Sequence, residues 1–220
     1  MRIDLLRFEV LNRTILIESP LGSADYTMAV DDVIEKYSTG DKIPFWIEVW
    51  PSAIVLAEFI LGSDEFSNKK VLELGCGLGL TSVALGLKNA VLTVTDYEMM
   101  ALQYARKNYI RNIGSDKNAK FVYLDWRHPT ISEKFDFVIG ADIIYERNLF
   151  DSLINVLKIT MATESICYLA DPNRSIAFEF FEILKKQNFK HEIVLRKEID
   201  YRGSKAVVLI YKIKKLNSDL

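Results

Sequence analysis

Acidic residues set around three alternating glycines mark the chemistry open to this chain. In VLELGCGLGL, Gly75, Gly77 and Gly79 lie between a short apolar run and a helical pattern. Glycines at a strand-to-helix turn permit a tight bend and let the backbone approach a ligand closely. Such a loop suits a dinucleotide pyrophosphate or S-adenosylmethionine (SAM). The dinucleotide fingerprint wants a small residue three positions after its second glycine, and Leu80 stands there instead. Glu73, two residues before the first glycine, would repel a pyrophosphate but suits the cationic ammonium and sulfonium of SAM. Asp96 ends the next apolar run, about 20 residues on, where an acid binds ribose hydroxyls. That contact fits either ligand.

Asp125-Trp126 closes a third apolar run, and ligands of open α/β sheets sit beyond the carboxyl ends of strands. Asp125 can accept a hydrogen bond from an adenine amino group, and Trp126 can cover the ring or pack in the core. The fourth run leads into Ala141-Asp142-Ile143-Ile144-Tyr145-Glu146. Methyl transfer to an amine needs an aligned nitrogen lone pair. Asp142 can orient that amine or take its proton, and Tyr145 can place its ring beside a cationic group. The plainer alternative is that Asp142 caps the helix starting near Arg147 and Tyr145 packs. His128 and His191 read as separate surface groups, and Cys76 as small filler in the glycine loop.

These residues need a scaffold, and the apolar spacing supplies one. Phe8, Val10, Ile15 and Ile17 read as a hairpin joined near Asn12-Arg13. Residues 19–42 read as loop with a short helix around 31–36. A helix starts at Pro51 and stops at Gly62. Strands and helices then alternate: strand 71–75, helix 80–88, strand 91–96, helix 98–111, strand 121–126, strand 135–142, helix 147–160, strand 166–171 and helix 175–187. Leu102, Ala105 and Tyr109 mark the inner face of one helix. Ile176, Phe180, Ile183 and Leu184 mark that of another. Strand 135–142 is apolar on both faces, which predicts a central position. HEIVLRKEID and KAVVLIYKIK are separated by only a few residues and must pair antiparallel. The expected fold is α/β: a doubly wound, mostly parallel sheet with helices on both faces. One domain is expected over 1–220, with 1–45 as an N-terminal extension and 46–220 as the catalytic core.

Composition narrows the partners. Of the 220 residues, 50% are hydrophobic, and the formal charge is −2. No basic stripe suggests a nucleic-acid partner, and the cluster Lys212, Lys214 and Lys215 reads as a solvated strand end. No apolar run approaches the roughly 18 residues that span a bilayer. Two isolated cysteines and the lack of a signal-like N-terminus point to a cytoplasmic setting. No metal-ligand spacing is present. A monomer is expected.

VLELGCGLGLTSVAL, VTD at 94–96, LDW at 124–126 and ADIIYE at 141–146 together resemble the seven-β-strand SAM-dependent protein methyltransferases. This is the lysine-methyltransferase or nicotinamide-N-methyltransferase-like group. PFWIEVWPSAIVLAEFIL and the N-terminal hairpin extend the resemblance over nearly the whole chain. The resemblance implies a seven-stranded sheet of order 3-2-1-4-5-7-6 with strand 7 antiparallel. It also implies a cofactor shell of Trp50, Glu73, Gly75, Cys76, Gly77, Gly79, Asp96, Tyr97, Asp125, Trp126 and Ala141. Glu73, Gly75 and Gly77 would line the methionine end of SAM, Asp96 the ribose, and Asp125-Trp126 the adenine. Trp50 would close over the cofactor. Asp142 and Tyr145 match the Asp-x-x-Tyr motif that positions the target side chain. PFW with WP, DIIYE and ADPNR are similar to lysine methyltransferases of the electron-transfer flavoprotein β subunit, and WPSAIVLAEFIL equally to relatives acting on arginine. DIIY replaces the Asn-Pro-Pro-Tyr motif of nucleic-acid amino-methylases. The expected activity is SAM-dependent N-methylation of a protein, with lysine favoured and S-adenosylhomocysteine as product. A small-molecule N-methyltransferase, a non-catalytic SAM-binding protein and an NAD-dependent oxidoreductase are the alternatives.

Overall fold

The computed structural model describes residues 5–21 and 44–216; the short helix expected around 31–36 lies outside them. β1 (Leu5–Val10) and β2 (Arg13–Glu18) form the N-terminal hairpin, turning at Leu11-Asn12. A single 3-10 turn (Phe45–Ile47) leads into α1 (Pro51–Gly62), with Pro51 in the first turn, where its missing N–H costs nothing. Then come β3 (Lys70–Leu74), α2 (Leu80–Leu87), β4 (Val91–Asp96), α3 (Met99–Ile113), β5 (Ala119–Tyr123) and β6 (Phe135–Ala141). A 3-10 turn (Arg147–Leu149) precedes α4 (Phe150–Thr160), β7 (Met161–Asp171), α5 (Ser175–Lys185), β8 (Phe189–Tyr201) and β9 (Ser204–Lys215).

The seven-stranded sheet runs β5-β4-β3-β6-β7-β9-β8. Counted from β3 as the first strand, this is the expected 3-2-1-4-5-7-6. β3 pairs parallel with β4 and β6, whereas β9 runs antiparallel to both β7 and β8. β6 is central, as its two apolar faces require. Its residues alternate between two cores: Phe137 and Ile139 face one, Val138 the other. The first core takes Val55, Leu56 and Ile60 of α1, Val83 of α2, and Leu102, Ala105 and Tyr109 of α3. The second takes Phe150, Leu153 and Leu157 of α4 and Phe180, Phe181 and Leu184 of α5. Helices thus cover both faces. In α5 the buried face is Ala177, Phe180, Phe181 and Leu184, while Ile176 and Ile183 are half-buried at its margin.

Two surface expectations need correction. His191 is half-buried, its ring 4.4 Å from that of Phe181, and burial lowers its pKa. Lys215 is not simply solvated: its Nζ donates to the carbonyls of Lys158 (2.8 Å) and Met161 (2.5 Å) at the end of α4. Carbonyls there have no partner within the helix, and a lysine satisfies them.

The N-terminal hairpin docks on α3 through two asparagines one helical turn apart. Asn112 accepts from Leu16 N (3.0 Å) and donates to Leu16 O (2.8 Å). Asn108 accepts from Glu18 N (2.7 Å) and donates to Glu18 O and to Leu78 O (both 3.0 Å). The side-chain amides thus stand in for a neighbouring strand along β2, and Asn108 also grips the glycine loop. Glu18 adds ion pairs to Lys107 and Arg111.

Candidate active site

The site lies beyond the carboxyl ends of β3, β4, β5 and β6, where a cavity of about 720 Å³ opens. That volume is typical of a small-molecule site. Of the expected residues, Trp50, Gly75, Cys76, Gly77, Gly79, Asp96, Tyr97, Asp125, Trp126, Ala141, Asp142 and Tyr145 all line it.

The glycine loop adopts backbone geometry that other residues resist. Gly75, Gly77 and Gly79 have φ of 66°, 51° and 82°. A Cβ on Gly79 would stand 2.9 Å from the Ala105 Cα, so the first turn of α2 meets α3 only because this residue is glycine. The loop is closed by Cys76 N to Thr95 O (3.0 Å) and Gly79 N to Cys76 O (2.9 Å). Asp96 fastens it to β4. One carboxylate oxygen accepts from Gly77 N and the other from Glu98 N, each at 2.9 Å. Burial pushes the Asp96 carboxyl up, and these backbone donors pull against that rise. Each of its oxygens keeps a further lone pair for a diol.

Glu73 is placed differently from expectation. It does not line the cavity; it is buried beneath the loop and accepts a hydrogen bond from the Ser82 hydroxyl. Burial pushes its carboxyl up to about 8, with the nearby Asp96 charge adding to the rise. Tied to α2 through Ser82, Glu73 supports the loop from below. Cys76 lines the cavity as filler: burial, with Asp96 and Glu73 nearby, drives its thiol well above its usual range.

Beyond the end of β5, Asp125 is chelated by its own neighbour. Arg127 Nε and Nη2 reach its two oxygens at 2.9 and 2.8 Å, which holds the carboxyl below its usual range. Any adenine amino group there must share Asp125 with Arg127. The guanidinium also lies 5.2 Å from the centre of the Tyr97 ring. The sequence reading missed Arg127. Trp126 is half-buried, its ring edge beside Gly75 and its body against the second core.

Across the cavity, Asp142 leaves β6 with φ 59°, a left-handed conformation fixed by its N–H on Ala170 O (2.9 Å). It does not cap the following helix. Oδ2 accepts from Ser52 N at the start of α1 (3.2 Å), and Oδ1 lies 2.8 Å from Arg174 Nη1. Burial pushes the Asp142 carboxyl up; Arg174 and Ser52 oppose it. Tyr145 stands at the open rim, 38% exposed, with its ring 5.4 Å from Phe45. Burial raises its pKa, so it remains a hydroxyl donor at neutral pH. Trp50 donates through Nε1 to Phe45 O (2.8 Å), which pins the aromatic wall Phe45-Trp50-Tyr145. Phe45, Ser52 and Arg174 escaped the residue-by-residue reading because no local pattern links them to Asp142.

A family model described as lysine methyltransferase matches residues 36–187. The chain belongs to the lysine methyltransferase family. It is 30% identical over 164 residues to EEF1A lysine methyltransferase 3 of Mus musculus, covering 72% of this chain and 70% of that protein. It is 29% identical over 207 residues to protein N-lysine methyltransferase METTL21A of Danio rerio, covering 90% and 91%. The fold also matches magnesium protoporphyrin IX methyltransferase from Synechocystis PCC 6803 with bound SAM. There the TM-score is 0.59 at 15% identity, covering 86% of this chain and 93% of that one. The chain is a SAM-dependent protein N-lysine methyltransferase. Among the described residues, no group of three or more His, Cys, Asp or Glu could hold a metal ion, and no helix is long and apolar enough to cross a membrane.

Proposed function

We propose that the cavity binds SAM along the glycine loop and presents its methyl group to a protein lysine held between Asp142 and the Phe45–Tyr145 wall. The observation that carries this reading is one cavity with two chemically distinct walls. One wall is a glycine cradle with the buried acceptor Asp96, and the other a buried carboxylate beside aromatic rings. SAM fits this lining: three glycines leave its floor without side chains, Asp96 offers a diol acceptor, and Tyr97 and Trp126 offer ring faces. Bound there, the sulfonium supplies an electrophilic methyl group.

The chain's own residues do the rest. Asp142 accepts an N–H of the target amine and aims its lone pair. The aromatic wall packs the apolar lysine stem and accommodates the positive charge that develops on nitrogen as it takes the methyl group from sulfur. The exposed rim at Tyr145 and Glu146 leaves room for a residue carried on a macromolecule. This favours a protein over a small amine, which a deeply enclosed pocket would suit. Residues 46–220 act as the catalytic core with the N-terminal hairpin docked on it. The two cysteines are buried and free, which suits a reducing, cytoplasmic setting.

The test is incubation with radiolabelled SAM and an extract of cells lacking the protein, followed by separation and mass spectrometry. Label on lysine in a discrete protein is expected. Label confined to the small-molecule fraction would overturn the protein reading, and label on arginine the choice of side chain.

A further inference from the structure

Three groups from two neighbouring strand ends converge behind the acceptor wall. β6 and β7 are parallel neighbours, with Ala141 opposite Ala170. The next residue on each strand is an aspartate, Asp142 and Asp171, and both are buried. Two buried carboxylates on adjacent strands repel, and each favours the proton-bound form. Arg174 lies between them. Its backbone N–H donates to Asp171 Oδ1 (2.7 Å), and its Nη1 reaches Asp171 Oδ2 (3.2 Å) and Asp142 Oδ1 (2.8 Å). The Arg174 contact to Asp142 is off hydrogen-bond alignment. Oδ1 is shielded from solvent, with Arg174 as its neighbour, and Asp142 as a whole lines the cavity.

We propose that Arg174 is a positioning residue for methyl transfer: anchored on Asp171, it pairs with Asp142 and keeps it ionised, so that the carboxylate can accept the N–H of the target amine. This rests on the reading of Asp142 as the group that touches that amine. The protonation state decides the outcome. An ionised Asp142 accepts the amine N–H and leaves the nitrogen lone pair free for the methyl group. A protonated Asp142 donates its O–H to that lone pair and occupies it. The groups surrounding Asp142 are Arg174 and Asp171 from the β7–α5 side, Ser52 from α1, and Tyr145 and Glu146 from its own loop. Glu48 lines the same cavity but is paired with Arg202. Among the described residues, Arg174 is the cation paired with Asp142. Its partial exposure, 30% against 7% and 0% for the two acids, fits a group at the edge of a working site.

The test uses the full-length protein labelled with carbon-13 at aspartate carboxyls and titrated by NMR, with Asp142→Asn assigning the signal. In Arg174→Ala the Asp142 midpoint should rise by about one pH unit or more, the size expected for losing an adjacent cation. Arg174→Lys, which keeps the charge, should restore most of it. If Arg174→Ala does not fold, Asp171→Asn gives the opposite contrast: with Arg174 left to Asp142 alone, the midpoint should fall. Transfer of label from SAM to extract proteins by Arg174→Ala should fall on the acid side and recover as pH rises, the acid limb of its pH profile moving up with the Asp142 midpoint. An unmoved Asp142 midpoint in whichever of the two variants folds overturns the proposal. Transfer surviving in Asp142→Ala would instead overturn the reading of Asp142, and would leave the titration result intact.

Discussion

The two walls of the cavity are built by different means. The glycine-loop wall comes from two short contiguous stretches, 73–82 and 94–98, locked by backbone hydrogen bonds and by a carboxylate that accepts from backbone N–H groups. The opposite wall is gathered from Phe45, Asp142 and Tyr145, with Ser52 and Arg174 behind Asp142, and side chains take part in each of these contacts. A ligand shared by a whole enzyme class calls for a backbone cradle that varies little. A target side chain calls for groups that long-range contacts can orient and retune.

The comparison sharpens most at Glu73, which makes the cradle pH-sensitive from below. Its folded pKa of about 8 lies above the ordinary 4.5, so the folded chain holds a proton that the unfolded chain has released. The stability contribution is complete below the unfolded value and is lost as pH rises through the folded one, by up to about 1.4 kcal/mol per pH unit. Glu73→Gln should flatten the fall in melting temperature between about pH 5 and 8. An unaltered fall would mean that Glu73 is ionised and the cradle does not rest on a neutral acid.

Next in size is Asp96→Ala, which should weaken SAM binding by about 1–3 kcal/mol in calorimetry, the worth of a charged acceptor. Full affinity in that variant would place the diol elsewhere. The smallest effect is expected at Asn112→Ala. Losing two partly buried bonds to Leu16 should cost about 1 kcal/mol in chemical denaturation. SAM affinity should stay within about twofold, because Asn112 lies outside the glycine loop. A large loss of affinity would show that the hairpin and cradle act as one unit.

The sequence made the first wall legible and only half of the second. Alternating glycines before a helix, with an acid ending the next strand, form a local pattern whose physics is local too, so Gly75 to Gly79 and Asp96 stand where expected. Glu73 lies buried beneath the loop, and spacing shows which face of a strand a residue occupies but not whether Ser82 covers it. The apolar run predicts a strand over 121–126, whereas β5 ends at Tyr123. Leu124 still donates to Asp96 O (3.0 Å), but Asp125-Trp126 turns away from the sheet, and Arg127 folds back on Asp125. Asp142 and Tyr145 are legible as cavity residues from their place after the central strand. Their partners Ser52 and Arg174 sit far along the chain in either direction, and no periodicity connects them.

The central claim, that the two walls divide binding from transfer, is tested most directly by measuring SAM affinity and label transfer on Asp96→Ala and Asp142→Ala side by side. The account predicts that Asp96→Ala binds SAM weakly but recovers transfer when SAM is saturating. Asp142→Ala should bind SAM nearly as the parent does, and its transfer should fall by roughly a hundredfold or more, in line with losing an orienting group. Loss of both properties in both variants, or transfer that survives without Asp142, would contradict it.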